Sequence, residues 1–136
     1  MMQDSIFTKI IKGEIPCHKV YEDDKTFAFL DIHPIQPGNV LVVPKDQVEF
    51  VWDLPEDDYQ ALMAAAQQIA LKMREVFPDK SRVAMHIEGL DVAHGHLKLF
   101  PFNTDEEFHH HPDASQEPDH AALAQLAAKL RLADQN

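Results

Sequence analysis

The chain has 136 residues, 45% of them apolar and 26% charged, enough to bury one respectable core but hardly two, so a single domain over residues 1–136 is expected. Its formal charge of −11 excludes a protein that grips a nucleic acid polymer, because that mode draws affinity from many Lys and Arg contacts to phosphates. A small anionic ligand stays possible where a local site supplies the positive field.

Taken in chain order, Asp4 can cap a short helix over "SIFTKIIKGE", with Ile6, Phe7, Ile10 and Ile11 at helical spacing and Gly13 and Pro16 ending it. The period then changes. "HKVYE" and "TFAFLD" read as short strands flanking the turn "DDK", and "NVLVVPK" as a third strand, entered through "QPG" and closed by Pro44. Asp53 as N-cap, Pro55 in the first turn and Glu56 three residues after the cap predict a long helix reaching about Val76. Its stripe of Tyr59, Leu62, Met63, Ala66, Ile69, Ala70 and Met73 is core packing. Two more strands, "RVAMHI" and "HGHLKLFP", follow. Residues 103–118 are polar and aperiodic and read as a surface loop carrying the solvated run His109, His110 and His111. A helix over residues 119–133 puts Leu123, Leu126, Ala127 and Leu130 on one face. The sum is an α+β fold: a five-stranded antiparallel sheet, one long helix and a helix at each end.

Cys17 is the single cysteine, so an internal disulfide and a Cys-rich zinc site are both excluded. No apolar run approaches the ~20 residues of a membrane span, and the first residues lack the apolar stretch of a signal peptide. A soluble, cytoplasmic protein without membrane contact is expected.

The chemistry concentrates in "AHGHLKLFP". On a strand, His94, His96 and Lys98 share one face, while Ala93, Gly95, Leu97 and Leu99 share the other. Alternation alone admits a solvated strand face. A His-x-His zinc site is a second possibility, opposed by the charge of Lys98 and the lack of a nearby cysteine. The third is a cationic patch for an anion, with Gly95 making room for an element passing behind it. A neutral imidazole held at one nitrogen by a carbonyl can attack phosphorus with the other, and His96 is the central member of the three.

These residues resemble a known signature. "HGHLKLF" looks like the histidine triad (HIT) motif, and "DSIFTKIIKGEIPCHKVYEDDKTFAFLDIHPIQPGNVLVVPK" is similar to the N-terminal half of that family almost without a gap. "GLDVAHGHLKLFP" and the closing "AALAQLAAKLR" resemble one of its branches. The resemblance covers residues 4–102 and implies a HIT-like α+β fold, usually a homodimer, holding a purine nucleotide of AMP type beside the signature strand. It implies His96 as the nucleophile, with His94 orienting it through its backbone carbonyl. Asp31 matches the carboxylate that holds the ribose hydroxyls, and Ile6, Phe7, Ile10, Phe29 and Ile32 match the apolar wall around the base. The implied activity is hydrolysis or transfer at a nucleoside phosphoramidate or phosphoanhydride through a nucleotidyl-histidine intermediate. The alternative is a nucleotide-binding sensor or scaffold with weakened catalysis.

Several positions depart from the family pattern. Lys98 stands at the third histidine, and Gln47 stands where many members have a histidine soon after "VPK"; the resemblance implies Lys98 as a catalytic residue and Gln47 and Asp91 as nucleotide-binding ones. A lysine, with an ordinary pKa of about 10.4, supplies charge but exchanges its proton poorly near neutrality. Asp91 occupies the approach to the phosphate, where a carboxylate disfavours an anion unless Lys98 pairs with it. Some members hold zinc through a Cys-x-x-Cys whose matching positions here are Ser5 and Thr8, so no structural zinc and no other cofactor is expected.

Overall fold

The computed structural model describes residues 3–133. Helix α1 (Ile6–Ile11) precedes the strands β1 (Lys19–Glu22), β2 (Thr26–Leu30) and β3 (Val40–Pro44). A 3-10 turn (Val51–Asp53) leads into the long helix α2 (Glu56–Val76). Strands β4 (Arg82–His86) and β5 (Leu97–Phe102) follow, then α3 (Asp105–Phe108) and α4 (His120–Leu130). The five strands form one sheet in the order β1-β2-β3-β5-β4, and every neighbouring pair is antiparallel. The α+β architecture with a five-stranded antiparallel sheet is the one expected. Among the described residues no helix is long and apolar enough to cross a membrane.

Both faces of the sheet centre are covered, which is why β2 and β3 are buried at every position and read as near-continuous apolar runs. On one face Val20, Ala28, Leu30, Val40, Val42, Leu97 and Leu99 pack against Leu62, Ala65, Ala66, Ile69 and Met73 of α2 and Ala127 and Leu130 of α4. Burying Leu62, Ile69 and Met73 completely contributes about 1.5–3 kcal/mol each. On the opposite face Phe27, Phe29, Leu41 and Val43 meet Phe7 and Ile10 of α1. Further along that face Phe100, Ala84 and Ile35 gather Phe102 and Phe108.

The element ends correct the sequence reading at several points. Ser5, not Asp4, caps α1, its Oγ accepting from the Thr8 N–H at 3.0 Å. Asp4 pairs instead with Lys12 at 2.7 Å. Asp53 does not cap α2. A residue preceding proline is pushed out of the helical region, so Leu54 is extended, Pro55 becomes the N-cap position and Glu56 the first helical residue. The loop over residues 103–118 contains the one-turn helix α3, whose cap Thr104 accepts from the Glu107 N–H at 3.1 Å. The last helix stops at Leu130, short of residue 133, because the chain turns extended at Arg131. Leu132 then donates its N–H to the Val20 carbonyl at 2.9 Å, and the Arg131 guanidinium donates to the Lys19 carbonyl.

Strand β5 begins at Leu97, so His94 and His96 lie on the approach to the strand. Backbone bonding explains the boundary: the Gly95 N–H donates to the Val48 carbonyl at 2.7 Å, away from β3. Regular pairing with β3 is present from Leu97, which sits opposite Val42, and Lys98 sits opposite Leu41. The 3-10 turn passes directly behind Gly95, where a Cβ would lie 2.8 Å from the Val51 nitrogen.

Candidate active site

A cavity of about 370 Å³ opens between α1, β2 and the loop joining β4 to β5. Its apolar wall is made by Ile6, Phe7, Ile10, Phe29 and Ile32, together with Ile15 and Leu41. Asp31, His96, Lys98, Glu88 and Asp91 bring the polar atoms. The amphipathic spacing of α1 is what delivers this wall: Phe7 and Ile10 turn onto the sheet, and Ile6 remains 48% exposed at the rim. A larger hollow of about 650 Å³ also touches Leu30, Asp31, Ile32 and His33 but holds neither His96 nor Lys98.

His96 is 5% exposed and His94 is fully buried. The two play different parts. His96 lines the cavity, whereas His94 lies outside its lining, its ring 5.7 Å from that of Phe7. The His96 Nδ1 bonds the His94 carbonyl oxygen at 2.8 Å. A carbonyl only accepts, so Nδ1 carries the hydrogen in this bond and Nε2 of the neutral ring keeps its lone pair. Phe7 meets the ring edge-on, centroids 4.8 Å apart at 83°. Burial pushes the His96 pKa down, against the upward pull of its bond to the His94 carbonyl, and the charge of Lys98 pushes it further down. The His96 ring is therefore held neutral.

Lys98 is half-buried and reaches Glu88, Nζ to Oε1 2.8 Å. This bond holds the Glu88 carboxyl below its ordinary range. The partner of Lys98 is thus Glu88 and not Asp91, which remains exposed on the cavity wall. Burial pushes the Asp31 carboxyl up, partly opposed by the His33 N–H, which donates to Oδ1 at 2.9 Å, and by the charge of Lys98.

Gln47 does not line the cavity. Its Oε1 accepts from the Ser5 N–H and the Thr8 hydroxyl, both at 2.7 Å, and its Nε2 donates to the Gln3 carbonyl at 2.8 Å. His86 packs edge-on against Phe100 and Phe108, in the aromatic cluster beyond the cavity. Glu88 was not singled out from the sequence: ten residues from Lys98 across a loop, it carries no periodic signal. Ser5 and Thr8 drew attention there only as the positions of an absent Cys-x-x-Cys.

Residues 12–105 match the HIT domain family, and the chain belongs to that family. It is 35% identical over 105 residues to the purine nucleoside phosphoramidase of Escherichia coli (strain K12), covering 73% of this chain and 87% of that protein. The fold is similar to that of a HIT-like protein from Bartonella henselae described as involved in cell-cycle regulation. There the TM-score is 0.76 with 30% identity, covering 94% of this chain and 95% of the other. A zinc-bound histidine triad protein from Mycobacterium smegmatis gives a TM-score of 0.73 at 26% identity, covering 92% of this chain and 94% of the other.

The residues at the positions of the Cys-x-x-Cys, and Gln47 beside them, do not fit a zinc ion. Structural zinc is held by thiolate, imidazole and carboxylate groups, and Ser5, Thr8 and Gln47 offer hydroxyls and a carboxamide already engaged in hydrogen bonds. Among the described residues no group of three or more His, Cys, Asp and Glu side chains is placed to hold a metal.

Proposed function

We propose that the protein is a nucleotide hydrolase or transferase of the HIT type, a single domain that cleaves a nucleoside phosphoramidate or phosphoanhydride through a nucleotidyl-His96 intermediate. The observation that carries this reading is the His96 imidazole, buried and fixed by the His94 carbonyl beside a cavity that also holds Lys98 and Asp31. Its Nε2 lone pair forms a bond to phosphorus as the bond to the leaving nitrogen or oxygen breaks. The leaving group departs with the electron pair and takes a proton from the Lys98 ammonium or from water. Water then bonds to phosphorus, the bond to Nε2 breaks, the pair returns to the imidazole and the proton of water restores Lys98 or passes to solvent. Asp31 accepts the ribose hydroxyls, and Ile6, Phe7, Ile10, Phe29 and Ile32 bracket a purine base. Lys98 and Asp91 border the phosphate, and Gln47 acts through α1.

A second reading, a purine nucleotide binder with residual turnover, draws on Lys98. A lysine in general is a less ready acid near neutrality than a histidine, and here the ammonium is bonded to the Glu88 carboxylate. The deciding experiment incubates wild type, His96→Ala and Lys98→His with adenosine 5'-phosphoramidate and with a diadenosine polyphosphate, following AMP release. Release by wild type and none by His96→Ala supports the enzyme. An inert wild type with an active Lys98→His supports the binder.

We also propose a homodimer in the cytoplasm. The small residues in the middle of α2 are not available to a partner, because Ala65 and Ala66 are used against the chain's own sheet. The support comes instead from the outer strand β4 with Met85, 42% exposed, and from Leu71 on α2, 50% exposed.

A further inference from the structure

The first turn of α1 is joined to the signature segment by a chain of hydrogen bonds that the sheet alone does not need. The His94 Nε2 lies 2.7 Å from the Pro44 carbonyl oxygen. That oxygen can only accept, so the hydrogen sits on Nε2 and the neutral ring presents a lone pair at Nδ1. The Ser5 Oγ is 2.7 Å from that Nδ1, so the hydroxyl donates. Its oxygen meanwhile accepts the Thr8 N–H at 3.0 Å. The Thr8 hydroxyl donates to Gln47 Oε1, which also takes the Ser5 N–H, and Gln47 Nε2 donates to Gln3.

The short bonds set the direction along the chain: the Ser5 Oγ also lies 3.3 Å from the Thr8 Oγ1, and that Oγ1 lies 3.4 Å from the His94 Nδ1, but both contacts are much longer than the 2.7 Å bonds from Ser5 to His94 and from Thr8 to Gln47. The His94 ring is pinned at both nitrogens with no exposed surface. The carbonyl that holds the His96 Nδ1 belongs to that same residue.

We infer that Ser5 is a positioning residue for the transfer step, acting through His94 as the end of a metal-free hydrogen-bonded clamp built from Ser5, Thr8 and Gln47. The inference rests on the nucleotidyl-transfer reading of His96. The clamp fixes the His94 tautomer and the orientation of its carbonyl, and so keeps the His96 lone pair aimed into the cavity. Ser5 itself does not line the cavity, so its loss should lower the rate of transfer and leave nucleotide affinity in place.

The test uses full-length wild type, Ser5→Ala and Ser5→Thr. Nitrogen-15 NMR of the imidazoles reads the tautomers, single-turnover labelling with adenosine 5'-phosphoramidate reads the rate, and AMP titration reads affinity. Wild type should show His94 protonated on Nε2 and His96 on Nδ1, and zinc chloride should leave the His94 Nδ1 resonance in place. Ser5→Ala should label roughly tenfold more slowly, with AMP affinity within about twofold and a mixed His96 tautomer; Ser5→Thr should recover most of the rate. A wild-type His94 protonated on Nδ1, a stoichiometric zinc shift, or Ser5→Ala labelling at the wild-type rate would each overturn the clamp. A wild type that never becomes labelled overturns the transfer reading instead, and the ring measurement, which needs neither turnover nor a variant that folds, still decides the clamp.

Discussion

His96 Nδ1 donates to the carbonyl oxygen of His94 at 2.8 Å, two residues back in the same segment. This short loop of chain fixes which nitrogen of His96 faces the cavity, and the chemistry follows from it. In the proposed transfer the neutral ring is the form that attacks phosphorus, and burial lowers its pKa below 6.5. Single-turnover labelling measured from about pH 4.5 to about pH 8 should therefore rise with pH and level off, with the midpoint of the acid limb below 6.5. A midpoint above 6.5 would show that His96 is not held neutral by its surroundings.

The same burial has a consequence for folding. His94 and His96 both have folded pKa values lowered from 6.5, chiefly by burial, so below about that pH the unfolded chain binds more protons than the folded one. Stability then rises with pH through this window, and acidification from about pH 7.5 to about pH 5.5 should destabilise the protein. Asp31, raised above 3.8 by burial, has the opposite sign and favours the fold at the acid end of its own range. Urea unfolding at the two pH values checks the balance. Equal midpoints, or a higher midpoint at about pH 5.5, would mean that the buried histidines do not govern this window.

Much of this was legible in the sequence, and the physical reason differs by element. The strands β2 and β3 announce themselves because burial on both faces makes them near-continuous apolar runs, broken only by Thr26 at the start of β2. The glycine at position 95 was readable as a close approach, and the 3-10 turn makes it. The signature histidines were legible as a motif but not as a geometry. Alternation placed His94 beside His96 on one strand face, whereas Gly95 bonds to Val48 and the strand starts later. The Lys98–Glu88 pair was invisible, since a loop contact has no period. The helix α3 could have been found from "TDEE", where a threonine stands three residues before a glutamate.

Gly95→Ala tests the close approach. The added Cβ would lie 2.8 Å from the Val51 nitrogen and 3.2 Å from the Phe50 carbonyl carbon, and neither backbone atom can rotate aside. Overpacking of this kind costs about 1–3 kcal/mol, against roughly 0.4–1 kcal/mol gained from a stiffer unfolded chain. The variant should be less stable, with a lower urea midpoint and an unchanged m-value, and should label more slowly because residues 94–96 must shift. A midpoint equal to wild type would show that the turn yields without cost.

Glu88 competes with any anionic ligand for Lys98. The pair is close, 2.8 Å, but Glu88 is 51% exposed, so solvent screening limits its strength to about 1 kcal/mol or less. Neutralising the carboxylate by Glu88→Gln leaves the ammonium available to a phosphate and removes a repulsive charge from the cavity wall. AMP should then bind roughly two- to fivefold more tightly at low salt, and the gain should shrink as salt screens the site. Lys98→Ala should bind more weakly than wild type. Calorimetric titration of the three proteins at two salt concentrations separates these effects, and an affinity in Glu88→Gln equal to or below wild type at low salt would show that Lys98 does not meet the phosphate.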